Sequence, residues 1–313
     1  MSLAFVFPGQ GSQTPGMGRD LADAFPIARE TFQEVDDALG QKLSRLMFEG
    51  PAEELTLTAN AQPALMAASV AICRVLAKEG GFDMSRQVSL VAGHSLGEYS
   101  ALTAAGSFDL ATAARLLRLR GDSMQAAVPP GVGAMAALLG ADAEQAAGIC
   151  AQAAQGEVLE VANDNGGGQV VVSGAKAAVE RAVEAAKTAG IKRAMILPVS
   201  APFHCAMMAP AARVMEEALG KAAMAHPAVP VVANVTAAPV SDPDVIRGLL
   251  VKQVTGTVRW RECVAAMVAA GCTRFAEVGA GKVLTGLMKR NAPEAAALAI
   301  NNPADIEAFL KSL

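Results

Sequence analysis

Short apolar runs separated by longer segments of helical periodicity dominate this chain. The first run, Leu3-Ala4-Phe5-Val6-Phe7, is broken by Pro8-Gly9-Gln10-Gly11 and predicts a buried strand. Helical patterns follow over 21–39 and 63–78, then a second apolar run, Val88-Ser89-Leu90-Val91-Ala92. An Ala-rich helical segment succeeds it, and 110–120 predicts another helix. Helices alternating with buried strands indicate an α/β fold with a largely parallel sheet.

At Pro129-Pro130-Gly131 the pattern changes. Strands are predicted over 133–139, 157–162, 169–173 and 192–199, with helices over 141–154 and 175–189. Asn163-Asp164-Asn165-Gly166-Gly167-Gly168 predicts a turn between the second and third strands. The resulting β-α-β-β-α-β order is ferredoxin-like. Beyond residue 200 the α/β character returns, with strands at 229–235 and 273–278 and helices at 242–252 and 261–270. The expected organisation is a large α/β domain, discontinuous over 1–128 and 200–313, with a ferredoxin-like subdomain inserted at 129–199.

Composition narrows the function. Hydrophobic residues make up 52% of the 313 positions but aromatics only 4%, so Ala, Val, Leu and Met must fill the core. No uninterrupted apolar run reaches the roughly eighteen residues of a membrane span, and Leu3–Phe7 is too short for a signal sequence. A cytoplasmic chain with no membrane partner is expected. The formal net charge of −4 argues against nucleic acid as a partner. Five scattered cysteines, three histidines and no CxxC pair suggest neither a disulfide framework nor a metal site, and the cysteines are expected to be buried, reduced thiols.

Gly93-His94-Ser95-Leu96-Gly97 stands between a strand and a helix, the context of a nucleophile elbow. Its glycines permit a tight turn that leaves the Ser95 hydroxyl clear, and the helix beginning at Leu96 points free N–H groups at any oxyanion beside it. A serine needs a base within reach. His94 is adjacent in sequence, but its side chain diverges; His226 reads as an exposed histidine. His204, in Ser200-Ala201-Pro202-Phe203-His204, falls where the insert rejoins the large domain and lines a cleft, which makes it the candidate base. Arg120 shares a helical face with Ala113, Leu116 and Leu117, whereas Arg115 and Arg118 read as solvated. A guanidinium there suits a substrate carboxylate, or else snorkels to water. Gln253 shares a face with Ile246, Leu249 and Leu250; it either faces the site or satisfies the helix end.

Six ordered motifs carry a resemblance over essentially the whole chain: Phe7-Pro8-Gly9-Gln10-Gly11-Ser12-Gln13, the elbow through Glu98, Arg120-Gly121, Pro202-Phe203-His204, Gln253 ahead of Val258-Arg259-Trp260, and Glu277-Val278-Gly279 with Gly281-Lys282-Val283-Leu284. The chain resembles the bacterial malonyl-CoA:acyl-carrier-protein transacylases of type II fatty acid synthesis. The resemblance implies a hydrolase-like α/β domain with a ferredoxin-like insert. It implies Ser95 as nucleophile, His204 as base, and the Gln10 and Leu96 amides as oxyanion hole. Arg120 would hold the malonyl carboxylate, Gln253 would orient His204 through a carbonyl oxygen, and Phe203 would crowd a branching methyl. Malonyl-CoA would be the donor and the phosphopantetheine of an acyl carrier protein the acceptor, with no permanently bound cofactor. Lys289-Arg290 would help dock the acidic carrier, or simply complement a helix dipole; Lys192-Arg193 is the next basic pair. Two departures, Gly279-Ala280-Gly281-Lys282 for the family's Gly-Pro-Gly-Lys and the glycine-rich 163–168 segment, predict less rigid loops.

Two other functions use the same residues. A serine esterase or thioesterase would employ Ser95 and His204 with water as acceptor, but it would want an acid, for which Asp164 is available, and has no purpose for a buried arginine. A catalytically idle carrier-binding module would not need Ser95, His204 and Arg120 together.

Overall fold

A computed structural model describes residues 2–313. Among the described residues, ten strands form two sheets: β1 (Ser2–Phe7), β2 (Leu90–Gly93), β3 (Gly133–Leu139), β4 (Leu159–Gly166), β5 (Gln169–Ala175), β6 (Arg193–Ile196), β7 (Val231–Val232), β8 (Pro239–Val240), β9 (Cys272–Val278) and β10 (Ala296–Ile300). The larger sheet runs β10-β9-β1-β2-β7-β8. Every pairing in it is parallel except β7 with β8. The smaller sheet is antiparallel in the order β4-β5-β3-β6. In chain order its strands run second, third, first, fourth, with helices Ala143–Ala154 and Lys176–Thr188 in the two crossovers. That is the ferredoxin-like arrangement.

The alternation of side chains along β1 explains how the large sheet is covered. Leu3, Phe5 and Phe7 enter one core, with helices Pro26–Leu39, Thr58–Gly80 and Leu110–Ala126. Ala4 and Val6 enter the core on the opposite face, around Trp260, Met267 and Phe275. Helix Thr58–Gly80 is long and apolar enough to cross a membrane by length and composition, but most of it is buried here among other elements of the protein. The small sheet is two-sided in the same way. Ala134, Ala136 and Leu138 of β3 pack under the insert's own helices, while Met135 and Ala137 join the large core. One face of the small sheet therefore lies against the core of the large sheet, and a cavity opens at that seam.

Several local expectations change. Residues 21–39 form two helices, Arg19–Ala24 and Pro26–Leu39, because Phe25 is extended and Pro26 starts a new helix at its first position. Strand β4 runs on to Gly166, so the turn shrinks to Gly167-Gly168, and all three glycines from 166 to 168 have positive φ. That segment is pinned. Asp164 pairs with Arg261 at 2.8 Å, Asn291 donates to the Asn165 carbonyl at 2.8 Å, and Arg290 donates to the Gly167 carbonyl at 3.2 Å. The Gly279–Lys282 loop is likewise held, by Gly279 N–H to Ile300 O and by Asn301 to Gly281 O, both at 3.1 Å. Neither glycine-rich segment is loose.

Candidate active site

Strand β2 stops at Gly93 and helix Gly97–Ala104 starts four residues later, so the chain reverses over His94-Ser95-Leu96. The reversal is tight enough to demand glycine at both ends. A Cβ on Gly93 would lie 1.9 Å from the Gly97 carbonyl, and one on Gly97 would lie 2.3 Å from Phe7 O. Phe7 and Gly93 are parallel partners, which brings the Pro8–Gln10 loop beside the elbow. Ser95 itself has φ 54°, a strained value for a side-chain-bearing residue. Asn234 braces it: its Oδ1 accepts from Ser95 N–H at 2.8 Å and its Nδ2 donates to Gly93 O at 2.7 Å.

Ser95 Oγ lies 2.8 Å from His204 Nε2, and His204 Nδ1 lies 2.9 Å from the backbone carbonyl of Gln253. A carbonyl only accepts, so Nδ1 carries the proton and Nε2 offers its lone pair to the serine hydroxyl. His204, also at positive φ (59°), is buried. Burial, reinforced by the Arg120 charge, pushes its imidazole down to about 3, against the hydrogen bond to Gln253. It is therefore neutral at physiological pH and ready to accept a proton.

Arg120 is 1% exposed. Helix Leu110–Ala126 can bring it this deep because Gly121 sits against the Thr58–Gly80 helix, where a Cβ would lie 2.6 Å from Ala59 Cα. Its Nη1 donates to Gln62 Oε1 at 2.7 Å, and its Nη2 donates to Gln253 Oε1 at 2.9 Å and Ser95 Oγ at 3.2 Å. The guanidinium carbon stands 5.7 Å from the Tyr99 ring centroid. Among the described residues, no carboxylate lies within ion-pair distance of Arg120, and its Nε has no partner. A buried cation held only by neutral oxygens is a costly arrangement, relieved by an incoming anion. Arg120 does not snorkel. Arg118 departs from expectation in another way, being half-buried and donating to Gln41.

These groups open into a cavity of about 390 Å³ at the seam of the two sheets. Met124 and Met135 line it together with Phe203, and Gln10 and Leu96 flank Ser95. Among the described residues, neither the backbone N–H of Gln10 nor that of Leu96 has a hydrogen-bond acceptor, whereas the Gln10 side chain donates to Thr58 Oγ1. A larger cavity, about 470 Å³ under Phe82 and Cys73, holds no comparable pair of nucleophile and base; burial pushes the Cys73 thiol up to about 12. Among the described residues no group of side chains suits a metal ion.

The remaining candidates fall outside this centre. His94 turns away from Ser95 and meets Asn165 Oδ1 at 2.8 Å, linking the elbow to the insert. His226 is exposed and bonds Ser241 O. Asp164 is spent on Arg261 and its own turn, so it is no triad acid. Lys289 and Arg290 are exposed at the end of helix Val283–Asn291, where Arg290 also ties down Gly167. Lys192 and Arg193 are exposed on the insert. Four cysteines are buried and Cys73 is half-buried, all with free thiols.

Sequence reasoning missed Gln62 and Asn234 and gave Glu98 no role. Each carried a signal, being a polar residue inside an apolar stretch: Ala61-Gln62-Pro63-Ala64, Val231-Val232-Ala233-Asn234-Val235, and the first turn of the Ala-rich elbow helix.

Residues 4–302 match the acyl transferase domain family. The malonyl CoA-acyl carrier protein transacylase of Escherichia coli K12 is 50% identical over 309 residues, covering 99% of both chains. That of Bacillus subtilis 168 is 44% identical over 312 residues, covering 99% of this chain and 97% of the relative. The crystal structure of the acyl-carrier-protein S-malonyltransferase of Bartonella henselae superposes with a TM-score of 0.98 at 54% identity, covering 100% of this chain and 99% of that one. A malonyl-transacylase solved in complex with its type II polyketide acyl-carrier protein gives a TM-score of 0.96 at 47% identity, with both chains covered in full. A serine on a strained strand-to-helix turn, a neutral histidine within hydrogen-bond distance of it and a buried arginine without an ion pair thus occur in a chain that belongs to the malonyl-CoA–acyl carrier protein transacylase family of acyl transferases.

Proposed function

We propose that this enzyme transfers malonyl from malonyl-CoA to the phosphopantetheine thiol of holo acyl carrier protein through an ester on Ser95. In the first half-reaction Ser95 Oγ bonds to the thioester carbonyl carbon while His204 Nε2 takes its proton. The carbon–sulfur bond then breaks, and the proton passes from His204 to the departing CoA sulfur. In the second, His204 takes the proton of the carrier thiol as its sulfur bonds to the ester carbon; the carbon–oxygen bond to Ser95 then breaks and His204 returns the proton to Ser95 Oγ. The Gln10 and Leu96 amides receive the oxyanion in both steps, and the Gln253 carbonyl keeps the His204 tautomer. Phe203 narrows the acyl pocket against a branching methyl.

The observation that carries this reading is the buried Arg120 without an ion pair, one guanidinium nitrogen from the nucleophile. Gln62 accepts one Nη1 hydrogen, while Gln253 and, more distantly, Ser95 Oγ accept the two on Nη2; the second Nη1 hydrogen is left for a carboxylate, and a second bond would replace the 3.2 Å contact to Ser95. An esterase has no use for that site, and its third member would be an acid rather than a backbone carbonyl. The division into 1–128 plus 200–313 and 129–199 is supported by the two sheets, with the cleft between. Lys289 is the exposed cation we assign to carrier docking, Arg290 sharing that duty with its bond to Gly167. We assign the enzyme to the cytoplasm, in keeping with soluble substrates, and no resident cofactor enters the chemistry.

The test is the intact mass of the protein after brief mixing with malonyl-CoA, then after adding holo carrier protein. A malonyl adduct that persists until the carrier arrives, and then moves to it, is expected. An adduct that decays as fast without carrier as with it would make the enzyme a hydrolase.

A further inference from the structure

Glu98 occupies the first turn of the elbow helix and is 1% exposed, behind Gln253 and outside the lining of the active-site cavity. Its Oε2 accepts from the Asn234 backbone N–H at 3.0 Å and from Gln253 Nε2 at 2.8 Å. An ionised carboxylate only accepts, so the Gln253 amide must turn its NH2 toward Glu98 and the Ser95 carbonyl, and its oxygen the other way. That oxygen receives Arg120 Nη2 at 2.9 Å. With the amide reversed, its NH2 would face the guanidinium donor to donor. Glu98 and Arg120 do not touch as an ion pair, yet each lies close enough to favour the other's charged form.

We propose that Glu98 is a positioning residue for malonyl selection: its carboxylate locks the Gln253 amide in the orientation that aims Arg120 at the acyl pocket, and balances the Arg120 charge at one remove. The proposal rests on Arg120 being the carboxylate anchor. The Ser95 carbonyl and Asn234 Oδ1 also accept from Gln253 Nε2, at 3.0 and 3.2 Å, but both are neutral; removing the charged acceptor, the nearest of the three, loosens the amide and with it the partner of Arg120. Acetyl, which has no carboxylate, is indifferent to that aim.

The pH dependence follows from the groups around Glu98. Arg120 faces it from helix Leu110–Ala126, Cys263 from helix Trp260–Ala269 and Tyr99 from its own helix; Gln253 and Asn234 are neutral. Burial pushes both the tyrosine and the thiol up, so they stay uncharged, and the arginine stays charged. Burial likewise pushes the Glu98 carboxyl up to about 7. Below that value Glu98 gains a proton and loses its charge, so Oε2 accepts from Gln253 and Asn234 more weakly. The preference for malonyl should therefore fall as pH drops through about 7, while changes at His204 act on both acyl groups and cancel in the ratio.

The test measures Ser95 acylation by malonyl-CoA and by acetyl-CoA, from intact mass, on the full-length wild type, Glu98→Gln and Arg120→Ala. The wild-type malonyl-to-acetyl ratio should fall about tenfold across the transition, the loss expected from weakening one charge-assisted hydrogen bond. Glu98→Gln should start about tenfold lower at alkaline pH and show no transition. A Glu98→Gln ratio and profile matching wild type would overturn the proposal. If Glu98→Gln does not fold, the wild-type profile decides alone, a flat ratio overturning it. A ratio unchanged in Arg120→Ala would instead remove the anchor reading itself, so the two failures are separable.

Discussion

Beneath helices Ala143–Ala154 and Lys176–Thr188, the inserted sheet buries aliphatic side chains and Cys150. Around Ser95, the large domain buries Gln62, Glu98, Arg120, His204, Asn234 and Gln253. The first region needs only volume and the right period of apolar positions, and it returns stability for each methylene removed from water. The second buries polar atoms that cost free energy unless each finds a partner, and it leaves Arg120 short of a counter-ion. The contrast marks the candidate site: one region buries only what packing needs, whereas the other holds a charge without an ion pair.

Substitutions should separate the two regions by what they damage. Ser95→Ala should abolish the acyl-enzyme, and His204→Ala should slow its formation by about 10²–10⁴-fold, the usual worth of a positioned general base. A malonyl adduct on Ser95→Ala protein would move the nucleophile elsewhere. In the insert, Leu138→Ala should lower unfolding free energy by about 2–5 kcal/mol in denaturant titration, because Leu138 is wholly buried. The same variant should acylate at nearly the wild-type rate while folded. A large loss of rate would mean that the insert's core tunes the site after all.

Two finer tests address electrostatics. Because burial holds the His204 imidazole at about 3, the base stays neutral on acidification. Labelling of Ser95 by a neutral fluorophosphonate probe should then run level from about pH 8 to about pH 5, where an unperturbed histidine of pKa about 6.5 would lose its rate. A midpoint near that value would place His204 in a far wetter environment. The smallest effect belongs to the rim. Lys289→Glu should slow transfer to carrier protein a few-fold at low salt, fading as salt screens the pair, with malonyl-CoA acylation unaffected. Lys289 is the informative choice, since Arg290 also holds Gly167. If transfer keeps its rate, Lys192 and Arg193 are the pair to reverse next.

Local signals made most of the architecture legible. Strand β1 and the insert's strand order follow from apolar runs between turn residues, and the elbow follows from its two glycines. What escaped depended on long-range contact. Strand β4 extends through Asn163–Gly166 because Arg261, Asn291 and His94 satisfy its polar side chains and backbone from distant parts of the chain. Glycine content alone therefore suggested a loose loop where the structure has an anchored edge. In the site, Ser95, His204 and Arg120 announce themselves by chemistry and position. Gln62, Glu98 and Asn234 act on those three across separations of 58 to 139 residues, or through a shared neighbour, so their roles appear only once the fold brings them together.

The central claim is that the unpaired guanidinium of Arg120 selects a substrate carboxylate. The direct test compares the rates of Ser95 acylation by malonyl-CoA and acetyl-CoA on wild type and Arg120→Ala. Two charge-assisted hydrogen bonds of roughly 1.5–3 kcal/mol each predict a loss of at least about a hundredfold with malonyl-CoA and little loss with acetyl-CoA. Equal losses with both substrates would contradict the claim and make Arg120 a structural support for the elbow.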